Sequence, residues 1–112
     1  MILRSWRGWV ATPRIAEYVR YVERTGIAGY RATPGNLAAQ IVTRDLGEGR
    51  TEVMTLSWWE TLDDVIGFAA DDIDQARFYP EDDDFLVDRE TTVLRHEVAS
   101  FSGGFGSDTG PP

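Results

Sequence analysis

The chain has 112 residues, 42% of them hydrophobic, which suits one domain with a single core and is too short for two ordinary ones. Its 19 acidic residues outweigh 11 basic ones for a formal net charge of -8, and the basic residues are not gathered, so nucleic acids and anionic membranes are excluded as partners. The absence of cysteine removes disulfides and thiolate chemistry, and neither a signal-peptide pattern nor a bilayer-length apolar run is present, so a cytoplasmic protein is expected.

Ile2 to Ala11 sets Leu3, Trp6, Trp9 and Val10 among small and polar residues, an aromatic pattern suited to a strand. Thr12-Pro13 then offers a capping side chain and a proline at the first helical position, and Ile15, Tyr18, Val19 and Val22 follow at helical spacing as far as Thr25-Gly26. The Pro-Gly pair within Ala32 to Asn36 predicts a type II turn, whose third position needs positive φ. Leu37 to Leu46 and Thr51 to Trp59 then form a hairpin around "GEGR". Thr61, with Asp64 three residues on, approximates a capping box ahead of an apolar stripe of Leu62, Val65, Ile66 and Ala69. The helical pattern weakens at "ADDID", resumes for a turn near Ile73 to Arg77 and stops at Tyr79-Pro80. A last strand fits Thr92 to Ser100. The domain therefore spans residues 1–100, and the Gly/Ser/Pro-rich residues 101–112 are expected to be a flexible tail.

The order strand, helix, strand, strand, helix, strand is an α+β pattern, closed most simply as one antiparallel sheet with both helices on one face, the split βαβ arrangement. A solvated second face would make each strand alternate cleanly, yet both sides of Leu37 to Val42 and of Met54 to Trp59 carry apolar groups. A second copy of the chain packed on that face by a two-fold axis covers it without new sequence, closing a barrel.

The segments "GYRATPGN", "LSWWET", "GFAADDIDQARFYPEDDDFL" and "VLRHEV" resemble the antibiotic biosynthesis monooxygenase family of dimeric α+β barrel proteins, in particular a bacterial branch with a Tyr-Pro-Glu-Asp-Asp segment, over about residues 2–99. The resemblance implies a ferredoxin-like βαββαβ protomer, a homodimer, and a pocket between sheet and helices in each subunit. Heme-degrading members carry an asparagine on the first strand, a tryptophan on the second helix and a histidine after it. The matching positions here hold Arg7, Phe68 and Arg77, and an arginine cannot serve as a neutral imidazole ligand to iron.

Quinone-forming members imply a different chemistry, one without metal or flavin: a phenol or hydroquinone is deprotonated, its anion gives an electron to dioxygen, and a peroxide intermediate collapses to a quinone. The protein must supply an aromatic slot, a proton acceptor, and a group that holds the developing anion. Trp6 or Trp9, Trp58 or Trp59, Phe68 and Tyr79 are candidates for the slot, with Trp9, Trp58, Phe68, Arg77 and Tyr79 named as substrate-binding residues. Arg7 and Arg77 are candidates for holding the anion. His96, the one histidine, is of the residue type whose free side chain has a pKa of about 6.5 and is the candidate base, with Arg7 as its catalytic companion. Each also has a plainer use: the tryptophans as core, His96 as a surface residue, and Arg7 as an ion-pair partner of Glu97 or Glu52 across the sheet. The acids of residues 71–84 lack the spacing of a calcium loop and read as solvating a connecting turn while Phe85-Leu86 pin it down. The expectation is a cofactor-independent monooxygenase acting on a small aromatic, the alternative a non-catalytic dimeric ligand-binding or structural module of the same fold.

Overall fold

The structure is a computed structural model that describes residues 1–69 and 72–105. Its centre is β1 (Ile2–Ala11), antiparallel to β3 (Arg50–Trp59), which pairs on its far edge with β2 (Asn36–Gly47). The other edge of β1 is shared by two short strands. β4 (Leu86–Arg89) pairs with Gly8 to Val10 and β5 (Leu94–Glu97) with Ile2 to Ser5. The predicted last strand thus shrinks to Leu94–Glu97. The segment before it, read as a connection, supplies an additional strand, because β1 is long enough to pair with both pieces.

Period-two alternation decides what each strand residue meets. Arg4, Trp6 and Val10 of β1 and Val53, Thr55, Ser57 and Trp59 of β3 point to the helix-covered face and are buried. Arg7, Trp9, Met54, Leu56 and Trp58 take the other face, and none of these is fully buried. The core has two parts: Trp6, Val10, Tyr18, Tyr21, Val22, Val53, Phe85 and Val93 in one, Trp59, Val65 and Phe68 in the other.

The first helix runs past its expected end. α1 (Ile15–Val22) passes into a π-helical turn at Glu23–Ile27 and continues as α2 (Ala28–Ala32). Thr25 does not stop it, because its hydroxyl donates to the Tyr21 carbonyl at 2.8 Å, within the helix itself. Thr12 bonds Thr51 at 2.8 Å instead of capping, and Thr12–Arg14 form a short 3-10 turn. The Pro-Gly turn holds: Gly35 has φ 88, and Asn36 N–H donates to the Thr33 carbonyl at 3.2 Å. Gly35 is needed twice over, since a Cβ there would lie 2.0 Å from Asp64 Cγ. Asp64 occupies that space because it completes the capping box at the start of α3 (Leu62–Ala69): its N–H donates to Thr61 Oγ1 and its carboxylate accepts from the Thr61 N–H, both at 3.2 Å.

Two expectations on this side change. α3 buries Val65 and Phe68, leaving Leu62 and Ile66 exposed, so the inward stripe is rotated from the one predicted. Ile73 to Arg77 is not helical. It runs alongside the sheet edge, where Gln75 bridges Thr92 and Ala76 N–H donates to the Thr91 carbonyl at 2.9 Å. A single turn, α4 (Asp82–Phe85), follows Pro80. The fold is α+β and ferredoxin-like, with an antiparallel sheet covered by helices on one face. Of the expected tail, 101–105 place Phe105 5.6 Å from the Trp58 ring, and 106–112 lie outside the described residues. Among the described residues no helix is long and apolar enough to cross a membrane.

Candidate active site

A cleft of about 420 Å³, counted out to the solvent at its mouth, lies between the helix-covered face of the sheet and the α1–α2 helix. The sheet contributes Arg4, Trp6 and Thr55, and the helix Tyr18, Val22 and Tyr30. The π-helical turn opens onto the cleft at Thr25 and Gly26, and the Ala76 to Tyr79 segment closes the opposite side with Asp82 and Val93. π-helical turns are costly local irregularities that recur at functional sites.

Each wall is held in place. Trp6 Nε1 donates to the Glu90 carbonyl at 2.6 Å, and its ring meets Phe78 edge-on with centroids 5.9 Å apart. Tyr30 packs at 4.7 Å from Phe68 and edge-on to Trp59 at 6.1 Å. Its hydroxyl faces Thr55, and burial pushes its pKa up, so the phenol stays neutral.

Two polar arrangements give the cleft its chemistry. In the first, the Tyr18 hydroxyl donates to Asp82 Oδ1 at 3.0 Å, and Asp82 Oδ2 accepts the Tyr79 N–H at 2.6 Å. Both side chains are buried, and burial, then the Asp82 charge, raises the Tyr18 pKa well above its ordinary value. The Tyr18 proton is committed to Asp82, which leaves its oxygen free to accept a hydrogen bond from a ligand hydroxyl. In the second, Arg4 is only 3% exposed, with Nε donating to the Ile73 carbonyl at 3.2 Å and Nη2 to the Gln75 carbonyl at 2.9 Å. Burial lowers its pKa, and Tyr30 and Asp74 partly offset this. No carboxylate of the described residues pairs with it.

Of the residues singled out from sequence, the structure brings Arg77 and Tyr79 into the cleft lining and sets Phe68 directly behind, with the Arg77 guanidinium 5.3 Å from the Phe68 ring and 5.6 Å from the Tyr79 ring. The others stand elsewhere. Arg7 is exposed on the opposite face, hydrogen-bonded to Glu90 at 2.5 Å and 3.7 Å from Glu52, and this pairing raises its pKa. Trp9 lies beneath the Arg7 guanidinium, and Trp58 sits across from Leu3 on that same face. His96 is exposed on β5, also opposite Leu3. Arg4, Tyr18, Tyr30 and Asp82 were not singled out. Strand parity was the available signal for Arg4, two residues from Trp6 and six from Val10, whereas Arg7 is out of phase with both. Asp82 had no signal, since seven acids share residues 71–84 and nothing local marks the one that turns inward.

No protein-family model matches this chain, and no curated protein sequence does. Solved structures do match. An antibiotic biosynthesis monooxygenase-like protein from Bacillus cereus superposes with a TM-score of 0.65 over 95% of this chain and 98% of its own, at 13% identity. An MhuD variant crystallised with two manganese protoporphyrin IX molecules per active site gives 0.55 at 18% identity, over 93% and 100% of the two chains. A heme-degrading protein from Mycobacterium tuberculosis, heme free, gives 0.50 at 19% identity over 92% and 100%. The chain has the fold of antibiotic biosynthesis monooxygenase-like proteins across nearly its whole length. At these identities the likeness is one of fold.

Proposed function

We propose that the cleft binds a small phenolic or hydroquinone-type aromatic and oxidises it with dioxygen, without a cofactor. The observation that carries this reading is the convergence, in one aromatic-walled cleft, of a buried, hydrogen-bonded Tyr18–Asp82 pair and a buried guanidinium with no carboxylate partner among the described residues. A phenol lying between Trp6, Tyr18 and Tyr79 passes its proton to the Tyr18 oxygen as the Tyr18 proton moves to Asp82, and the buried charge of Arg4 stabilises the resulting anion from the far end of the ring. The phenolate gives one electron to dioxygen, and the superoxide so formed recombines with the ring radical as a carbon-bound peroxide. Loss of the ring hydrogen with cleavage of the O–O bond leaves one oxygen in the quinone and releases the other in water, so phenol and dioxygen balance quinone and water with no external reductant. Arg77 and Tyr79 border the mouth and Phe68 backs them.

Heme chemistry, which one neighbour's name carries, would find none of the commoner axial ligands in the lining. The cleft presents no imidazole, thiolate or thioether, since the single histidine is His96 on the far face and the chain has no cysteine. Homodimerisation belongs to the same reading. Val42, Met54, Leu56, Trp58 and Leu94 line up across the uncovered face, with Val42 40% and Leu94 58% exposed, and a second copy would bury them, giving His96, Trp9 and Trp58 a role at that interface.

The test is oxygen uptake with hydroquinone. Tyr18→Phe removes the acceptor and Asp82→Asn the final proton sink, and each should slow turnover roughly 10²–10⁴-fold while the fold is retained. Unchanged turnover in both would remove the proposed proton path, and binding without any oxygen consumption in the parent protein would favour a ligand-binding module.

A further inference from the structure

We propose that the ligand of this cleft carries a permanent anionic substituent, a carboxylate on the aromatic ring, which Arg4 grips at the floor while Arg77 guides it at the mouth. The inference rests on the cleft reading above and goes beyond it by naming the substrate class.

The argument is one of charge placement. The chain carries -8 overall, yet its cleft lining holds two guanidinium groups, Arg4 and Arg77, against one carboxylate, Asp82. Asp82 makes no ion pair with either among the described residues; its oxygens accept the Tyr18 hydroxyl and the Tyr79 N–H. The acid that acts on Arg4 is Asp74. Its carboxylate is turned outward to Arg95, whose Nε donates to Oδ1 at 3.1 Å. Arg4 therefore keeps its charge among neutral partners: two backbone carbonyls and the Phe68 ring, 5.8 Å from its Cζ. Nη1 has no hydrogen-bond partner among the described residues.

Burying a cation without a counter-ion is costly, and a fold that only needed to fill this position would do so with an apolar side chain. The contrast on the same strand is direct. Arg7, three residues on and exposed, has two glutamates. Arg4, at 3% exposure, has none among the described residues. Its two carbonyl bonds come from the Ile73–Gln75 segment, which is itself fixed by Val93 N–H donating to the Asp74 carbonyl at 2.8 Å, so the guanidinium is held rigidly with one edge left for a ligand. A planar fork is suited to a planar carboxylate. Arg77 is exposed and stacks over two rings rather than pairing with an acid, so it can meet the anion first. Tyr30, neutral and adjacent to Arg4, adds a hydroxyl to the same end of the cleft.

The experiment compares three probes that differ in charge alone or in lacking the group: para-hydroxybenzoate, its methyl ester, and phenol. Binding to the parent protein is measured by calorimetry, as are Arg77→Gln and Arg4→Met, with circular dichroism to check each variant's fold. The acid should bind roughly 10–100-fold more tightly than the ester, the worth of a charge-assisted hydrogen bond. Arg4→Met should abolish that preference, bringing acid and ester to the same affinity. If Arg4→Met does not fold, Arg77→Gln still decides, since it should reduce the acid's advantage and steepen no other difference. Equal affinity for acid and ester would overturn the inference and leave the cleft reading intact. No binding by any of the three would overturn both.

Discussion

The two faces of this sheet are built from the same strands, yet they solve different problems. On the helix-covered face, Trp59, Val53 and Val10 reach zero exposure, and the polar members have specific partners: Trp59 Nε1 donates to Ser57 Oγ at 2.9 Å, and Arg4 Nε and Nη2 to two carbonyls. On the open face Trp58, Leu56 and Met54 are only half-buried, and Arg7 satisfies its charge with surface glutamates. Adjacent tryptophans show the difference at its sharpest, Trp59 locked in the core and Trp58 resting against Phe105. Full burial forces every polar group to find a specific partner, so a buried group still lacking a charge partner points to a ligand. Half-burial imposes no such accounting, and the open face instead awaits a cover.

Breaking the inner face should have the largest effect. Trp59→Ala should cost about 3–5 kcal/mol in urea unfolding, as truncation of a buried aromatic usually does, whereas Trp58→Ala should cost the protomer clearly less. Equal losses would mean that the two faces are packed alike. A charge on the open face should act on assembly next. Leu56→Arg should leave a cooperatively folded chain of half the parent's mass in analytical ultracentrifugation, if two copies bury about 2,000 Å² or more between their sheets. A parent protein that is already monomeric would remove the proposed interface.

The buried phenols sharpen the comparison through pH. Tyr18 keeps its proton in the folded state above the ordinary pKa of 10.0, first through burial and then through Asp82. Its contribution to stability is full below about pH 10 and is lost as the pH rises beyond that, because the unfolded chain ionises first. Tyr21 and Tyr30 shift in the same direction. Stability followed by denaturation from pH 8 to about pH 11 should therefore fall, and Tyr18→Phe should make the fall shallower; an unchanged slope would contradict a buried, proton-retaining Tyr18. The smallest effect belongs to the exposed arginine. Arg7→Ala should leave ligand affinity unchanged, and a loss would place Arg7 in communication with the cleft.

Much of the fold was legible because local chemistry and global packing agree. The Pro-Gly turn, the glycine hairpin and the Thr61–Asp64 box each depend on a few adjacent residues, and all three form. The helix passing through Thr25-Gly26 was not legible, because a glycine tolerates many backbone states and tertiary contacts chose the π-helical one. The cleft was legible in kind, as an aromatic slot between sheet and helices, with Arg77, Tyr79 and Phe68 among its parts. Its polar centre was not. Arg4 could have been found from strand parity with Trp6 and Val10, but Tyr18 and Asp82 meet only because the segment after α3 folds back over α1, bringing together residues 64 positions apart. His96 drew notice as the one imidazole, and its place on β5 was set by edge pairing with β1 rather than by anything local.

A crystal structure of the protein soaked with para-hydroxybenzoate tests the central claim most directly. The account predicts the ring between Trp6, Tyr18 and Tyr79, its hydroxyl within hydrogen-bond reach of the Tyr18 oxygen and its carboxylate on the Arg4 guanidinium. Density for the ring on the opposite face, against Trp58 and His96, with the cleft left as it is, would contradict it.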